Sequence, residues 1–271
     1  MKNRTRDSGI DIIGNVSWGT HIGQLFTSKE EIFDVMVPYI RQGLMDNELC
    51  LWVYSDNISY YEIKDQISKI VKDVDSYLES GQLLLIPYSM LYLKNGSFNE
   101  IGVLRRWYKY IRLALNNGYN GLRAVADTSW VDRYYFRAFS RYEHDVNNII
   151  TRLPIIVICI YNANELDTFE ICQVIKSHSY IITRHEDNIE LIRNIELIIK
   201  NKQLKESYER YFNLIELLPD FVFIHDEKRI YYCNESAVKV TGTKDPCILS
   251  QMSMTDMVPS EYRSDFFRFM K

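Results

Sequence analysis

The chain has 271 residues, 46% hydrophobic and 25% charged, and a formal net charge of −4. At ~150 residues per domain this is about two domains, with enough apolar residue to build a sizeable core. The longest apolar runs, Leu83–Pro87 and Leu153–Ile160, fall far short of the ~18 residues of a membrane span, and the polar N-terminus has no secretory signal.

Residues 1–17 are polar and read as a flexible leader. His21–Phe26 reads as a short strand. Ser28, three residues before Glu31, has the spacing of a capping box and opens a helix. Ile32, Val35, Met36, Tyr39 and Ile40 share one face of it, and Gly43 is the expected stop. Glu48–Tyr54 is a nearly all-apolar strand, 55–57 a turn, and Ile58–Val71 an amphipathic helix. Gln82–Tyr88 is the next strand and 94–97 a turn. Ile101, Leu104, Tyr108, Ile111 and Leu115 repeat at spacings of 3, 4, 3 and 4, which predicts a helix with that stripe buried. Strand Gly121–Asp127, helix Asp132–Ile150, strand Pro154–Tyr161, helix Glu165–Ser177 and a last strand Tyr180–Thr183 follow.

Strands that are apolar throughout, separated by helices, indicate a parallel sheet covered on both faces. Residues 18–183 therefore read as one three-layer α/β domain, whose ligands belong at the carboxyl ends of the strands. Residues 184–217 carry a stripe of Ile189, Ile192, Ile195 and Ile199, resumed by Leu204, Tyr208, Tyr211 and Ile215. This predicts a linker helix that either pairs with its copy in a homodimer or packs on its own domain. Residues 218–271 differ again: strand Phe221–His225, a turn at 226–228, strand Arg229–Cys233, then a helix from Asn234.

Local motifs for chemistry are sparse. The string nearest to a phosphate loop, GNVSWGTH at 14–21, has Thr20 and His21 in place of Lys and Ser/Thr, and it precedes the first strand. After that strand stands TSKEE, where a phosphate would meet Glu30 and Glu31. His21, His144, His178, His185 and His225 form no HExxH, HxH or Cys/His spacing, so no metal and no cofactor is expected. Glu143 and His144 are adjacent and point apart on a helix. The five cysteines (Cys50, Cys159, Cys172, Cys233, Cys247) include no CxxC pair, which suits buried thiols in a reducing cytoplasm. No nucleophile with a local partner stands out, so no catalytic residue is assigned. A pI near 5.8, with no dense basic block beyond Lys2–Arg6, argues against a nucleic-acid surface. What remains is polar and aromatic residues near strand ends. Asp127 either coordinates a ligand or caps the following helix. His21 and Gln24 flank the first strand. Trp52, Tyr54, Tyr88 and Tyr92 would wall an aromatic pocket if strand order brings them together.

The ordered succession HIGQLFTSKEEIFDVMVPYIRQGLMDNELCLWVY, GQLLLIPYSMLYLKNGSF, LRRWYKYI, GYNGLRAVADTSW and YEHDVNNII resembles the MEDS sensory-domain family over most of 18–183. That resemblance implies a RecA/KaiC-like sheet without a phosphate loop, sensing small C1 or hydrocarbon-derived compounds upstream of kinase or DNA-binding modules. Its matching positions are His21, Gln24, Cys50, Trp52, Tyr88, Asp127 and Trp130, which become the expected ligand-binding set. LLPDFVFIHDEKRIYYCNESAVKVTG and MVPSEYRSDF resemble the first half of a PAS domain. A whole PAS fold needs ~100 residues. The chain would then be a piece of a longer sensor, such as a two-component histidine kinase, or its partial PAS docks on something. The expected function is a cytoplasmic signal-transduction module that binds a small molecule and relays to a PAS or kinase-type output. Its rivals are an ATPase-like nucleotide binder with an aberrant phosphate loop and a purely structural dimerisation module.

Overall fold

In the computed structural model, which describes residues 5–186, 188–226, 229–241, 253–263 and 268, the chain divides into two compact units, residues 1–202 and 203–271. The first opens with a hairpin, β1 (Thr5–Asp7) against β2 (Asn15–Ser17). The expected flexible leader is thus structured from Thr5 on, because Ile10 and Val16 bury apolar side chains and the Ser8 side chain is enclosed.

β3 (His21–Phe26) leads into α1 (Lys29–Met45). Ser28 caps α1 by accepting from the Glu31 N–H, but the box is not closed, since the Glu31 carboxylate turns to Thr27 instead. Gly43 does not stop the helix. It lies inside α1, where a Cβ would sit 2.5 Å from Arg123 Cδ. The helix ends two residues beyond it, and Asn47 then takes a left-handed conformation (φ 54°).

β4 (Leu49–Tyr54) follows. The helix expected over 58–71 is shorter, α2 (Tyr60–Ser68), and a further short helix, α3 (Val74–Glu79), follows it after Asp73 at φ 57°. After β5 (Leu83–Pro87) come a short α4 (Tyr88–Tyr92) and a small hairpin, β6 (Leu93–Lys94) and β7 (Ser97–Phe98), turned by Asn95 and Gly96 at positive φ. The buried residues of α5 (Glu100–Asn116) are Val103, Trp107, Ile111 and Ala114, whereas Ile101, Tyr108 and Leu115 of the expected stripe are exposed. β8 (Leu122–Asp127), α6 (Arg133–Ile150, capped by Asp132), β9 (Ile155–Asn162), α7 (Thr168–Ser177) and β10 (Tyr180–His185) then appear in the expected order.

β10 is not the last strand. Residues read as the start of a helix form β11 (Asn188–Arg193), antiparallel to β10, and only then does α8 (Ile195–Leu217) begin. The sheet is therefore mixed, in the order β11-β10-β3-β9-β8-β4-β5, with every other pairing parallel. One core packs α1, α2 and α3 on one face; a second packs α5, α6 and α7 on the other. Right-handed crossovers explain the split: chain progress reverses direction across the sheet after β5, so later helices land on the opposite face.

In the second unit, β12 (Phe223–His225) pairs with β13 (Ile230–Cys233), followed by α9 (Glu235–Thr241) and α10 (Met254–Met257). Asn234 is buried and organises this part. Its Oδ1 accepts from Val222 N and Ala237 N, and its Nδ2 donates to the Ile215 and Asp220 carbonyls. Residues 227–228 of the expected turn, Cys247, and the end of the MVPSEYRSDF segment lie outside the described residues.

Candidate functional site

Two features lie on the α5–α6–α7 side of the sheet. One is a cleft of about 280 Å³ at the carboxyl ends of β8 and β9, where such sheets take ligands. Thr128, Ser129, Asn162 and Glu165 form its rim, and Phe136, Phe139, Tyr161 and Leu166 add aromatic and aliphatic wall. Its carboxylates are already engaged: Asp132 accepts from Tyr135 N, Glu165 from Asn162 Nδ2, and Glu170 from Asp167 N. Among the described residues, the buried hydroxyl of Ser129 has no hydrogen-bond partner.

The other feature is buried directly below. His21 at the start of β3, Glu143 in α6, Cys159 in β9 and His178 just after α7 bring one donor atom each to within 4.8 Å of one another. His21 Nε2 lies 3.2 Å from both Glu143 Oε2 and Cys159 Sγ, and His178 Nε2 lies 3.4 Å from the same carboxylate oxygen. The other ring nitrogens are tied down, His178 Nδ1 to the Val174 carbonyl at 2.8 Å and His21 Nδ1 to Asn147 Oδ1 at 3.3 Å. Tyr161 Oη donates to Glu143 Oε2 at 3.2 Å, so one aromatic side chain borders both the cleft and the cluster. Burial opposes the charge on Glu143, but His21 and His178 in their protonated forms outweigh it, and with both rings charged its pKa is pulled down to about 2. Burial, then His21, pushes His178 below the usual imidazole value. Burial raises the Cys159 thiol well above the ordinary cysteine value.

The expected ligand set is divided by the sheet. Cys50 and Trp52 belong to the core on the α1 side, and the Cys50 thiol points at the Ile40 carbonyl. Gln24 is buried and donates to the Glu31 carbonyl at 2.8 Å. Asp127 acts as a clamp: it accepts from Ser55 N, Ser55 Oγ and Ser129 N, tying the end of β4 to the end of β8. Tyr88 and Trp130 are on the far side, stacked at 5.7 Å and packed with Tyr92, Phe98 and Phe139. This aromatic group is filled by its own members, and none of the seven residues lines the cleft. Of the seven, only His21 joins the buried cluster; Glu143, Cys159 and His178 lie outside the expected set, and no local motif spacing marks them. Cys172 is exposed and Cys233 partly so, which corrects the expectation of uniformly buried thiols.

At the position after β3 where a phosphate loop would lie, Glu31 accepts from Thr27 Oγ1 at 2.6 Å and Thr27 N at 3.2 Å. The chain's own carboxylate thus occupies an amide that an anion would need.

The fold is accordingly an α/β sheet of the KaiC-like kind without a phosphate loop. The KaiC-like protein PH0186 from Pyrococcus horikoshii OT3 matches it with a TM-score of 0.50 at 17% identity, covering 70% of this chain and 85% of that one. The flagellar accessory protein FlaH from Methanocaldococcus jannaschii has a TM-score of 0.43 at 15% identity, with the same coverage of 70% and 85%. The MEDS family (MEthanogen/methylotroph, DcmR Sensory domain) matches residues 20–179, and the chain belongs to it. The transcriptional repressor DcmR of Methylorubrum extorquens (strain DSM 6343 / CIP 106787 / DM4) is 24% identical over 178 residues, 65% of this chain. The chain spans 62% of that relative's length. Membership gives the matched region a sensory or regulatory role. Among the described residues, no helix is long and apolar enough to cross a membrane.

Proposed function

We propose that the α/β unit senses a small, uncharged C1 or hydrocarbon-derived molecule in the cleft at the ends of β8 and β9, and that occupancy is relayed to a PAS or kinase-type output. The observation that carries this reading is the unpartnered Ser129 hydroxyl, set beside aromatic wall in a cavity of about 280 Å³. The cleft mixes polar side chains, Arg133 and Asn162 among them, with the apolar wall of Phe136, Phe139 and Leu166, and a free hydroxyl beside that wall suits a molecule of a few non-hydrogen atoms. A ligand with unequal affinity for two conformations shifts their populations, and α8 runs on from the sheet's edge strand to carry that shift. Exposed Ile195, Ile199, Tyr211 and Leu214 on α8 favour pairing with a second copy. Light scattering checks that pairing, and a monomer at all accessible concentrations rejects it.

Calorimetry of the full chain with one-carbon halides, alcohols and amines tests the cleft. Saturable binding should appear for at least one compound and weaken tenfold or more in Leu166→Trp, which fills the cavity, with the far-ultraviolet dichroism unchanged. Equal binding in that variant, or none across the panel, rejects the cleft. With ATP and Mg²⁺, no affinity tighter than about 1 μM is expected, since Glu31 holds the Thr27 amide. Submicromolar ATP binding would instead favour the ATPase-like reading.

A further inference from the structure

The geometry points to a buried divalent transition-metal site of the zinc class, formed by His21, Glu143, Cys159 and His178. This stands apart from the cleft and holds whether or not a small molecule binds there.

Hydrogen bonding sets the argument. A backbone carbonyl only accepts, so His178 Nδ1 carries the proton it donates to Val174 O. Asn147 Nδ2 is committed to the Ser177 carbonyl, which leaves Asn147 Oδ1 to accept from His21 Nδ1. In both neutral rings Nε2 is then a bare lone pair. The two lone pairs face one carboxylate oxygen, at 3.2 and 3.4 Å. His178 Nε2 is completely buried and, among the described residues, has no hydrogen-bond partner. Three electron-rich atoms converging out of water repel one another unless a cation lies among them.

A metal ion answers that requirement better than a proton. A tetrahedral ion at about 2.0–2.3 Å from N, O and S donors holds them about 3.3–3.8 Å apart; the spacings from His21 Nε2 to Glu143 and Cys159 and from His178 Nε2 to Glu143, at 3.2, 3.2 and 3.4 Å, are close to that, and all four donors lie within 4.8 Å of one another. Two imidazoles, a carboxylate and a thiolate also balance a 2+ charge to zero, so the loaded site is neutral in a dry core. The raised thiol pKa belongs to the metal-free state; a bound metal takes cysteine as thiolate and releases its proton. The outer partners, Val174 O and Asn147 Oδ1, are of the kind that orient metal-bound histidines. Gly23 makes the room: a Cβ there would press on His178 Cγ at 3.2 Å and on Ile181 Cδ1 at 2.6 Å.

The test uses the untagged full chain, stripped with a chelator and titrated with Co²⁺ as probe. One equivalent should bind and give the visible bands of four-coordinate Co²⁺ with a thiolate charge-transfer band, both displaced by Zn²⁺. Cys159→Ser should abolish the charge-transfer band, His178→Gln should weaken binding tenfold or more, and Cys172→Ser, at an exposed thiol, should change neither. If the buried substitutions prevent folding, X-ray absorption at the zinc edge of the wild-type chain decides, with a mixed nitrogen, oxygen and single-sulfur shell expected. No stoichiometric binding, a shell without sulfur, or a band that depends on Cys172 would each overturn the site and leave a proton as the shared cation.

Discussion

Arg123 shows how much one side chain can carry. It is fully buried, with Nε 2.5 Å from Glu48 Oε2, Nη1 donating to the Ser8 and Tyr39 carbonyls, and Nη2 donating to the Asp7 carbonyl. Its guanidinium lies over the Tyr39 ring at 4.8 Å, and Arg6 reaches the other oxygen of Glu48 at 2.8 Å. Burial opposes the charge, yet Tyr39 and Glu48 hold the Arg123 pKa above its ordinary value. Removing one partner of such a pair leaves an uncompensated buried charge. Glu48→Gln should therefore cost about 3–5 kcal/mol, read as a lower urea midpoint. A loss below about 1 kcal/mol would show that the two arginines are satisfied without the carboxylate. In the sequence Arg123 is a single charge inside an apolar strand, and nothing marks its partners at 7, 8, 39 and 48. Gly43 is tied to the same residue: it permits close approach of Arg123 and Cys50, and so reads falsely as a helix end.

Elements were legible wherever one periodicity acted alone. The strands around Ile22, Leu51, Val125 and Ile158 are buried on both faces and could be placed from composition. α5 carries two apolar stripes, and the sequence cannot choose between them. The structure chooses the one with Trp107, whose indole donates to Tyr142 of α6 at 2.8 Å, and leaves Ile101 63% exposed. Residues 188–193 read as helix from their isoleucine spacing, but pairing with β10 imposes the strand. At α2 the cap itself is testable. Ser59 N donates to Glu62 at 2.8 Å, Glu62 N donates to Ser59 Oγ at 3.2 Å, and Lys29 lies 3.0 Å away. The hydrogen bond from the Ser59 backbone, then those from Lys29 and the Ser59 side chain, lowers the Glu62 pKa to about 2. The folded value lies below the ordinary 4.5, so this stabilisation is complete above pH 4.5 and fades as pH falls through about 2. An NMR titration should give a Glu62 midpoint near 2 that moves toward 4.5 in Lys29→Ala. An unmoved midpoint would remove Lys29 from the cause.

At the scale of the first unit, the N-terminal hairpin is part of the fold. Deleting residues 1–17 takes the Ser8 and Asp7 carbonyls from Arg123 and exposes apolar surface behind Ile10 and Val16. The deletion should lower stability by about 3–5 kcal/mol in chemical denaturation. An unchanged midpoint would return the segment to the flexible leader that its composition suggests. The sheet also explains why the seven expected ligand residues form no single pocket. They lie on or just past several strands, but successive side chains of β4 point to opposite faces, so Cys50 and Trp52 enter one core while Trp130, in the loop after β8, packs against the other.

By itself, the amino-acid sequence determined the α/β class, the succession of the main sheet's strands from β3 to β10, the missing phosphate loop and the family. Each rests on local signals: apolar runs, caps, turn residues and a motif's absence. Only the tertiary structure decided the antiparallel edge strand, the docked face of α5, and the meeting of His21, Glu143, Cys159 and His178. Those depend on strand order and crossover direction, which bring residues more than a hundred positions apart within a bond length or two of a shared point. Periodicity cannot report such distances, because the polar residues involved look like any other buried position until the sheet is assembled.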